Sequence, residues 1–225
     1  MKNLYIIHGW TYTVEPWAKT LEILRDHGVT IEMLHVPGLT EPSKEVWTID
    51  DYVAWADQNI PNGAIALGHS NGGRILLNML SKNPNKLRHV ILLDAAGIYE
   101  ESKKRDIARK VSKVMAPLKR IKPLRRVYHK VLGASDYDHA PENMKKTLAN
   151  MLDSDKNLDF STITTPATIL WGKQDNVTPP SQARAMRARL KNSTIKFYEN
   201  WNHAPYITDP EGLARAIYAT LKEVR

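Results

Sequence analysis

The apolar run Ala64-Ile65-Ala66-Leu67 gives way, after Gly68-His69-Ser70-Asn71-Gly72-Gly73, to the helical pattern Arg74-Ile75-Leu76-Leu77-Asn78-Met79. A strand that turns straight into a helix is the unit from which parallel sheets are wound, because each parallel strand needs a crossover before the next. The alternation runs through most of the chain. Short β-branched or apolar runs lie at Leu4–Ile7, Thr30–Leu34, Val90–Leu93, Ala167–Trp171 and Thr194–Tyr198. Amphipathic stretches with apolar residues three and four apart lie near Pro16–His27, Ile49–Asn59, Gly72–Lys82, Ser181–Leu190 and Pro210–Val224. An α/β fold is therefore expected: a mostly parallel sheet of about six strands with helices on both faces.

The rhythm breaks once. Between Ile98 and Thr165 there is no strand pattern but three helical ones: Ile107, Val111, Val114 and Met115; Leu124, Val127, Tyr128 and Val131; and Met144, Leu148, Met151 and Leu152. Pro117, Pro123 and Pro141 separate or start them. Residues 1–97 and 166–225 are read as the sheet core and 98–165 as an inserted helical lid. A length of 225 residues with 42% apolar content suits one domain of this kind. The net charge is +8, yet Ser102–Lys130 alone carries +11, from twelve Lys or Arg against the single acid Asp106. The basicity thus belongs to the lid, and the core is close to neutral.

Cysteine is absent, which excludes a disulfide framework, a thiolate nucleophile and a cysteine-ligated metal centre. The histidines show no paired spacing with carboxylates of the kind a zinc or di-iron site requires, so neither metal nor cofactor is expected. No run approaches the roughly 18 to 20 apolar residues of a membrane span. The first nine residues lack a signal-peptide core, and a cytoplasmic location is the expectation.

Gly68-His69-Ser70-Asn71-Gly72 has the G-x-S-x-G spacing in the strand-to-helix context that this pattern requires. A sharp turn there holds the serine backbone under strain and presents its hydroxyl at a helix N-terminus. An incidental serine in a glycine-rich turn is the bland alternative. A phosphate cradle is a weaker one, since the Lys-Ser/Thr of a P-loop is missing. Serine is a poor nucleophile without a base, and candidates for base and acid follow later strands. Asp175 lies in the turn Gly172–Pro179 after the run Ala167–Trp171, and His203 lies in Asn202-His203-Ala204-Pro205 after Thr194–Tyr198. In a parallel sheet all three would gather outside the carboxyl ends of the strands. Taken singly, Asp175 could be a surface turn acid and His203 a solvated loop histidine.

With these residues in the order Ser70, Asp175, His203, the chain resembles a serine α/β-hydrolase over essentially its whole length. The resemblance implies an ester-like acyl substrate, with Ser70, Asp175 and His203 as the catalytic triad. It implies that His8-Gly9-Trp10, after the first strand, is the oxyanion loop, with the N–H groups of Trp10 and Asn71 as oxyanion donors. Two departures from the family stand out. The family's usual first two strands have no counterpart, which implies a minimal six-stranded sheet. Asp94 ends Val90–Leu93 where some members place their acid, and it stays the alternate to Asp175. Serine at position 70, where dehalogenases and epoxide hydrolases use aspartate, argues against those activities.

The lid's apolar faces are expected to roof the acyl pocket, with His8, Val111, Met115, Tyr128 and Met151 as lining candidates against ordinary packing. The basic lid reads either as a solvated helix face or as a docking surface. Esterases of the pimeloyl-carrier type are similar in the His-Gly-Trp loop and in basic lid residues that meet an acidic acyl carrier protein. Tyr128 is the sole aromatic in the basic stretch, too little to stack single-stranded nucleic acid, so no specific nucleic-acid partner is expected. A hydrolase-fold binding protein or receptor remains the alternative class. Esters, lactones and thioesters are open to the same triad.

Overall fold

The computed structural model describes residues 2–99 and 140–224. Its strands are β1 (Lys2–Ile7), β2 (Val29–Leu34), β3 (Ala64–His69), β4 (Leu87–Leu93), β5 (Ala167–Gly172) and β6 (Ser193–Tyr198). They form one sheet in the order β2-β1-β3-β4-β5-β6, with every neighbouring pair parallel. The helices among the described residues are α1 (Ala18–Asp26), α2 (Ile49–Asn59), α3 (Asn71–Lys82), α4 (Glu142–Ser154), α5 (Pro180–Arg189), α6 (Pro205–Thr208) and α7 (Pro210–Glu223).

Strand alternation divides the core into two layers, because successive side chains point to opposite faces. Leu4 and Ile6, Ile65 and Leu67, Ile91 and Leu93, and Leu170 face one side and pack with Leu21, Leu24, Leu213 and Ile217 of α1 and α7. Ile7, Ala66, Val90 and Leu92, and Ile169 and Trp171 face the other side, with Tyr52, Ile75, Met79, Ala183 and Met186 of α2, α3 and α5. The central strands are therefore apolar throughout, as burial on both faces demands. Truncating one of these fully buried leucines should cost about 2–5 kcal/mol.

Helix starts follow local chemistry. Thr48 and Asp51 form a reciprocal capping box at α2, and the Asp209 carboxylate accepts from Gly212 N–H at 3.0 Å at the start of α7. The single-turn α6 and a 3₁₀ turn at Glu15–Trp17 have no apolar period to reveal them, being set by Pro205 and Pro16. β4 starts three residues before its apolar run, at Leu87, because Arg88 and His89 occupy less buried positions of a regular strand.

The third helical pattern of the interrupted region is α4. Thr147 accepts the Trp47 N–H at 2.9 Å, and Asn150 donates to the Trp47 carbonyl at 3.1 Å, tying α4 to the segment before α2. The first two patterns, with Val111, Met115, Tyr128 and the basic stretch Ser102–Lys130, lie outside the described residues. No helix among the described residues is long and apolar enough to cross a membrane.

The sheet order places β1 in the interior: the chain leaves it for β2 on one side and returns to β3 on the other. β1 and β3 are thus the neighbours at which the chain's direction across the sheet reverses, the place where ligand sites gather in sheets of this kind. The segments after β1, β3, β4, β5 and β6 carry His8, Ser70, Asp94, Asp175 and His203, all on that edge.

Candidate active site

Ser70 separates β3 from α3 with φ 51° and ψ −117°, a left-handed conformation that L-residues with a Cβ adopt only under strain. Its backbone is pinned on both sides: Ser70 N–H donates to Leu93 O at 3.1 Å, and Ser70 O accepts from Ala96 N–H at 2.9 Å. Gly72 is required by close approach, since a Cβ there would lie 2.1 Å from the Ile7 carbonyl oxygen. The Asn71 N–H, at the first position of α3, belongs to the turn whose donors have no partner within the helix.

His203 joins the serine to the acid. Asp175 is 2% exposed, and its Oδ2 lies 2.8 Å from His203 Nδ1. A carboxylate can only accept, so Nδ1 carries the proton, and Nε2 is left to accept from the Ser70 hydroxyl at 2.9 Å. Asp175 receives three further donors: Val177 N–H at 2.7 Å, Thr178 N–H at 2.9 Å and the Thr178 hydroxyl at 2.7 Å. Burial pushes the Asp175 carboxyl up, but the His203 charge and these hydrogen bonds outweigh it and hold the group below its ordinary value.

Asp94 takes a different place. It is fully buried, has φ 43°, and its Oδ1 accepts from Gly172 N–H at 2.8 Å. Of the two acids the sequence left open, the one brought to His203 is Asp175.

The first loop carries a second histidine. His8 is 1% exposed, with Nδ1 2.8 Å from Gly9 O and Nε2 2.8 Å from Thr40 Oγ1. The carbonyl can only accept, so Nδ1 is the protonated nitrogen and Nε2 accepts from the Thr40 hydroxyl, which itself accepts Val36 N–H at 3.0 Å. Burial lowers His8 to about 4, with the Gly9 hydrogen bond opposing, and keeps the ring neutral. A trans peptide points its carbonyl and N–H in opposite directions, so holding Gly9 O also fixes the direction of Trp10 N–H. Gly9 lets this loop lie against the serine turn: a Cβ there would stand 2.9 Å from His69 Nδ1 and 3.0 Å from Ser70 Cβ.

Three residues around these groups escaped the sequence pattern. His69 donates from Nε2 to the His203 carbonyl at 2.7 Å and sits edge-on to Trp17 and Tyr206. Its burial, with His203 nearby, lowers it to about 3. The Thr178 hydroxyl oxygen lies between the Asp175 carboxylate, to which it donates at 2.7 Å, and the Asp94 carbonyl oxygen at 3.0 Å. The three-residue step from Asp175 to Thr178 is a local turn signal, whereas Thr40, 32 residues from His8, has none.

Farther along α3, Arg74 forks onto Asp155 at 2.7 and 2.8 Å and also donates to Asn71 Oδ1 at 2.5 Å. This buried pair links the helix behind Ser70 to the end of α4. Met151 is fully buried in the core layer shared with α2 and α3. Among the described residues no cluster of three or more His, Asp or Glu could hold a metal ion.

A parallel sheet in this order, with a strained serine after β3, an acid after β5 and a histidine after β6, defines a hydrolase fold. The family model described as the alpha/beta hydrolase family matches residues 4–216, and the chain belongs to that family. The pimeloyl-[acyl-carrier protein] methyl ester esterase of Vibrio cholerae is 19% identical over 96% of this chain and 92% of its own length. The enzyme of the same description from Salmonella newport is 23% identical over 98% of this chain and 93% of its own. A putative lipase from Acinetobacter baumannii AYE shares the fold with a TM-score of 0.73 at 20% identity, over 99% of this chain and 84% of that one.

Proposed function

We propose that this protein hydrolyses carboxylic esters with Ser70 as nucleophile, His203 as general base and acid, and Asp175 as the group that orients and charges the histidine. The carrying observation is the unbroken hydrogen-bond chain from Asp175 Oδ2 through His203 to Ser70 Oγ, at 2.8 and 2.9 Å. As Ser70 Oγ attacks the ester carbonyl carbon, His203 Nε2 takes the hydroxyl proton, and Asp175 stabilises the imidazolium. The carbonyl oxygen becomes anionic in the tetrahedral intermediate, and the N–H groups of Asn71 and Trp10 are the donors assigned to it. Collapse returns the proton to the departing alcohol and leaves the acyl group on Ser70. Water, deprotonated by the same Nε2, then releases the acid.

A series of p-nitrophenyl esters of increasing acyl length, assayed with wild type, Ser70→Ala and His203→Ala, tests this reading. Each variant should lose at least about 10³-fold in kcat with its circular dichroism unchanged. Near-normal turnover by Ser70→Ala overturns the mechanism. No turnover by any of the three would favour a larger specific substrate or a binding role.

Within that class, the substrate we favour is an ester of an acyl chain held on an acidic carrier protein. The relatives named for such an ester support it, as does the +11 charge of Ser102–Lys130. Complementary charge raises encounter rate and sets partner choice. kcat/KM for a carrier-bound ester should therefore fall steeply with salt, while that for a neutral p-nitrophenyl ester stays flat. An equally flat response for both counts against the carrier. Lactones and thioesters belong in the same series.

A further inference from the structure

We propose that Asp94 is a positioning residue that carries the proton of a two-carboxyl unit, on its Oδ2, so that one negative charge rather than two lies behind the His203 ring. The inference rests on the reading of Asp175 as the acid of a triad.

Asp94 and Asp175 meet at Thr178, whose hydroxyl oxygen lies 2.7 Å from Asp175 Oδ2 and 3.0 Å from the Asp94 carbonyl oxygen, and both carboxyl side chains are buried. Neither could leave its proton without consequence for the other, since two like charges in one poorly solvated site repel strongly. The donors around them decide which keeps it. Asp175 receives four hydrogen bonds, from Val177 N–H, Thr178 N–H, the Thr178 hydroxyl and His203 Nδ1–H. Asp94 receives one, from Gly172 N–H to Oδ1, and its Oδ2 is a buried oxygen that no donor reaches among the described residues. An acceptor so placed is costly as an anion, and a proton on it removes that cost. The proton is thus assigned to Asp94 and, because Oδ1 is occupied as an acceptor, to Oδ2.

The surroundings agree. Burial first, and the Asp175 charge second, raise the Asp94 carboxyl well above the usual range. Among the described residues, its hydrogen-bond and charge partners are Gly172 N–H from β5, Asp175 and Thr178 from the turn after it, and Tyr206 of α6. No cation is among them. The Asp94 N–H is held by Leu170 O at 3.1 Å, and its carbonyl oxygen lies 3.0 Å from the Thr178 hydroxyl oxygen, whose one proton goes to the nearer Asp175 carboxylate. The residue therefore links the end of β4 to β5 through both main chain and side chain.

Difference infrared spectroscopy of wild type against Asp94→Asn near pH 7.5 reads the proton directly. The expected result is a protonated carboxylic-acid carbonyl band present in wild type and absent from the variant. The asparagine amide keeps the shape of the neutral acid and accepts from Gly172, so Asp94→Asn should keep kcat within about threefold of wild type. Asp94→Leu, which cannot accept, should lose about 100-fold in kcat with KM little changed. Absence of the band, or an Asp94→Asn enzyme as impaired as a folded Asp94→Leu, overturns the proposal. If the leucine variant does not fold, the band and the asparagine kinetics still decide. Full activity in Ser70→Ala would remove the triad reading and leave the band untouched, so the two failures are distinguishable.

Discussion

Lowering the pH from 7 to 5 should destabilise the fold through two histidines that have no room for a second proton. His8 is 1% exposed with Nδ1–H committed to Gly9 O, and His69 is 3% exposed with Nε2–H committed to His203 O. The other nitrogen of His69 is buried without a partner among the described residues. Burial lowers the two rings to about 4 and about 3, against an ordinary 6.5. The unfolded chain therefore takes up protons first as pH falls. The stabilisation is complete above 6.5 and is lost progressively down to the folded values. Between pH 7 and pH 5 each ring contributes a loss of about 2 kcal/mol, about 4 kcal/mol together. The size depends little on the folded values, because pH 5 lies above both. His89, also lowered by burial, adds to the loss. Asp94 acts in the opposite sense: a raised carboxyl binds its proton more tightly in the folded state, so its contribution is greatest at low pH and is lost as pH rises. Urea unfolding of wild type and Asp94→Asn, followed by tryptophan fluorescence, separates the two. Asp94→Asn should lose about 4 kcal/mol or more on going from pH 7 to pH 5, and wild type distinctly less. A change below about 1 kcal/mol in Asp94→Asn would refute the argument from the histidines.

Other changes should act at single contacts. Gly72→Ala places a Cβ 2.1 Å from Ile7 O, where backbone must move; a loss of about 3 kcal/mol, or roughly 6–12 °C in melting temperature, is expected by calorimetry. Asp175→Asn keeps the shape of the acid but removes its charge and can turn a donor toward His203 Nδ1, so kcat should fall about 10³- to 10⁴-fold with KM nearly constant in steady-state kinetics. His8→Phe releases the Gly9 carbonyl and with it the direction of Trp10 N–H. kcat should then fall by about 10- to 100-fold, while a ground-state substrate analogue binds as before by calorimetric titration.

The serine turn was legible because three local signals coincide: a wholly apolar strand, glycines two positions either side of the serine, and a helical period beginning at once. Asp175 and His203 could be placed by the same logic, each following a strong strand pattern. Asp94 also follows a strand, and sequence favoured Asp175 over it only through the likeness of the Gly172–Pro179 turn to the family pattern. The separation depends on which carboxyl reaches an imidazole at 2.8 Å and which is occupied by Gly172 N–H, and both contacts join residues remote in the chain. Boundaries that rest on polar strand residues, as at Leu87, or on a single proline-started turn, as at Pro205, had no period to show them.

What the amino-acid order determines on its own is the sheet class, the strand and helix sequence, and the edge on which Ser70, Asp175 and His203 must emerge. These follow from the two-residue and 3.6-residue periods and from the rule that parallel strands end together. The tautomers of His8 and His203, the hold of His69 on the His203 loop, the Arg74 fork onto Asp155 and the pairing of Asp94 with Asp175 come from the tertiary structure alone. Each is a hydrogen bond or charge contact between segments that the sheet brings together, and such contacts leave no period in the sequence.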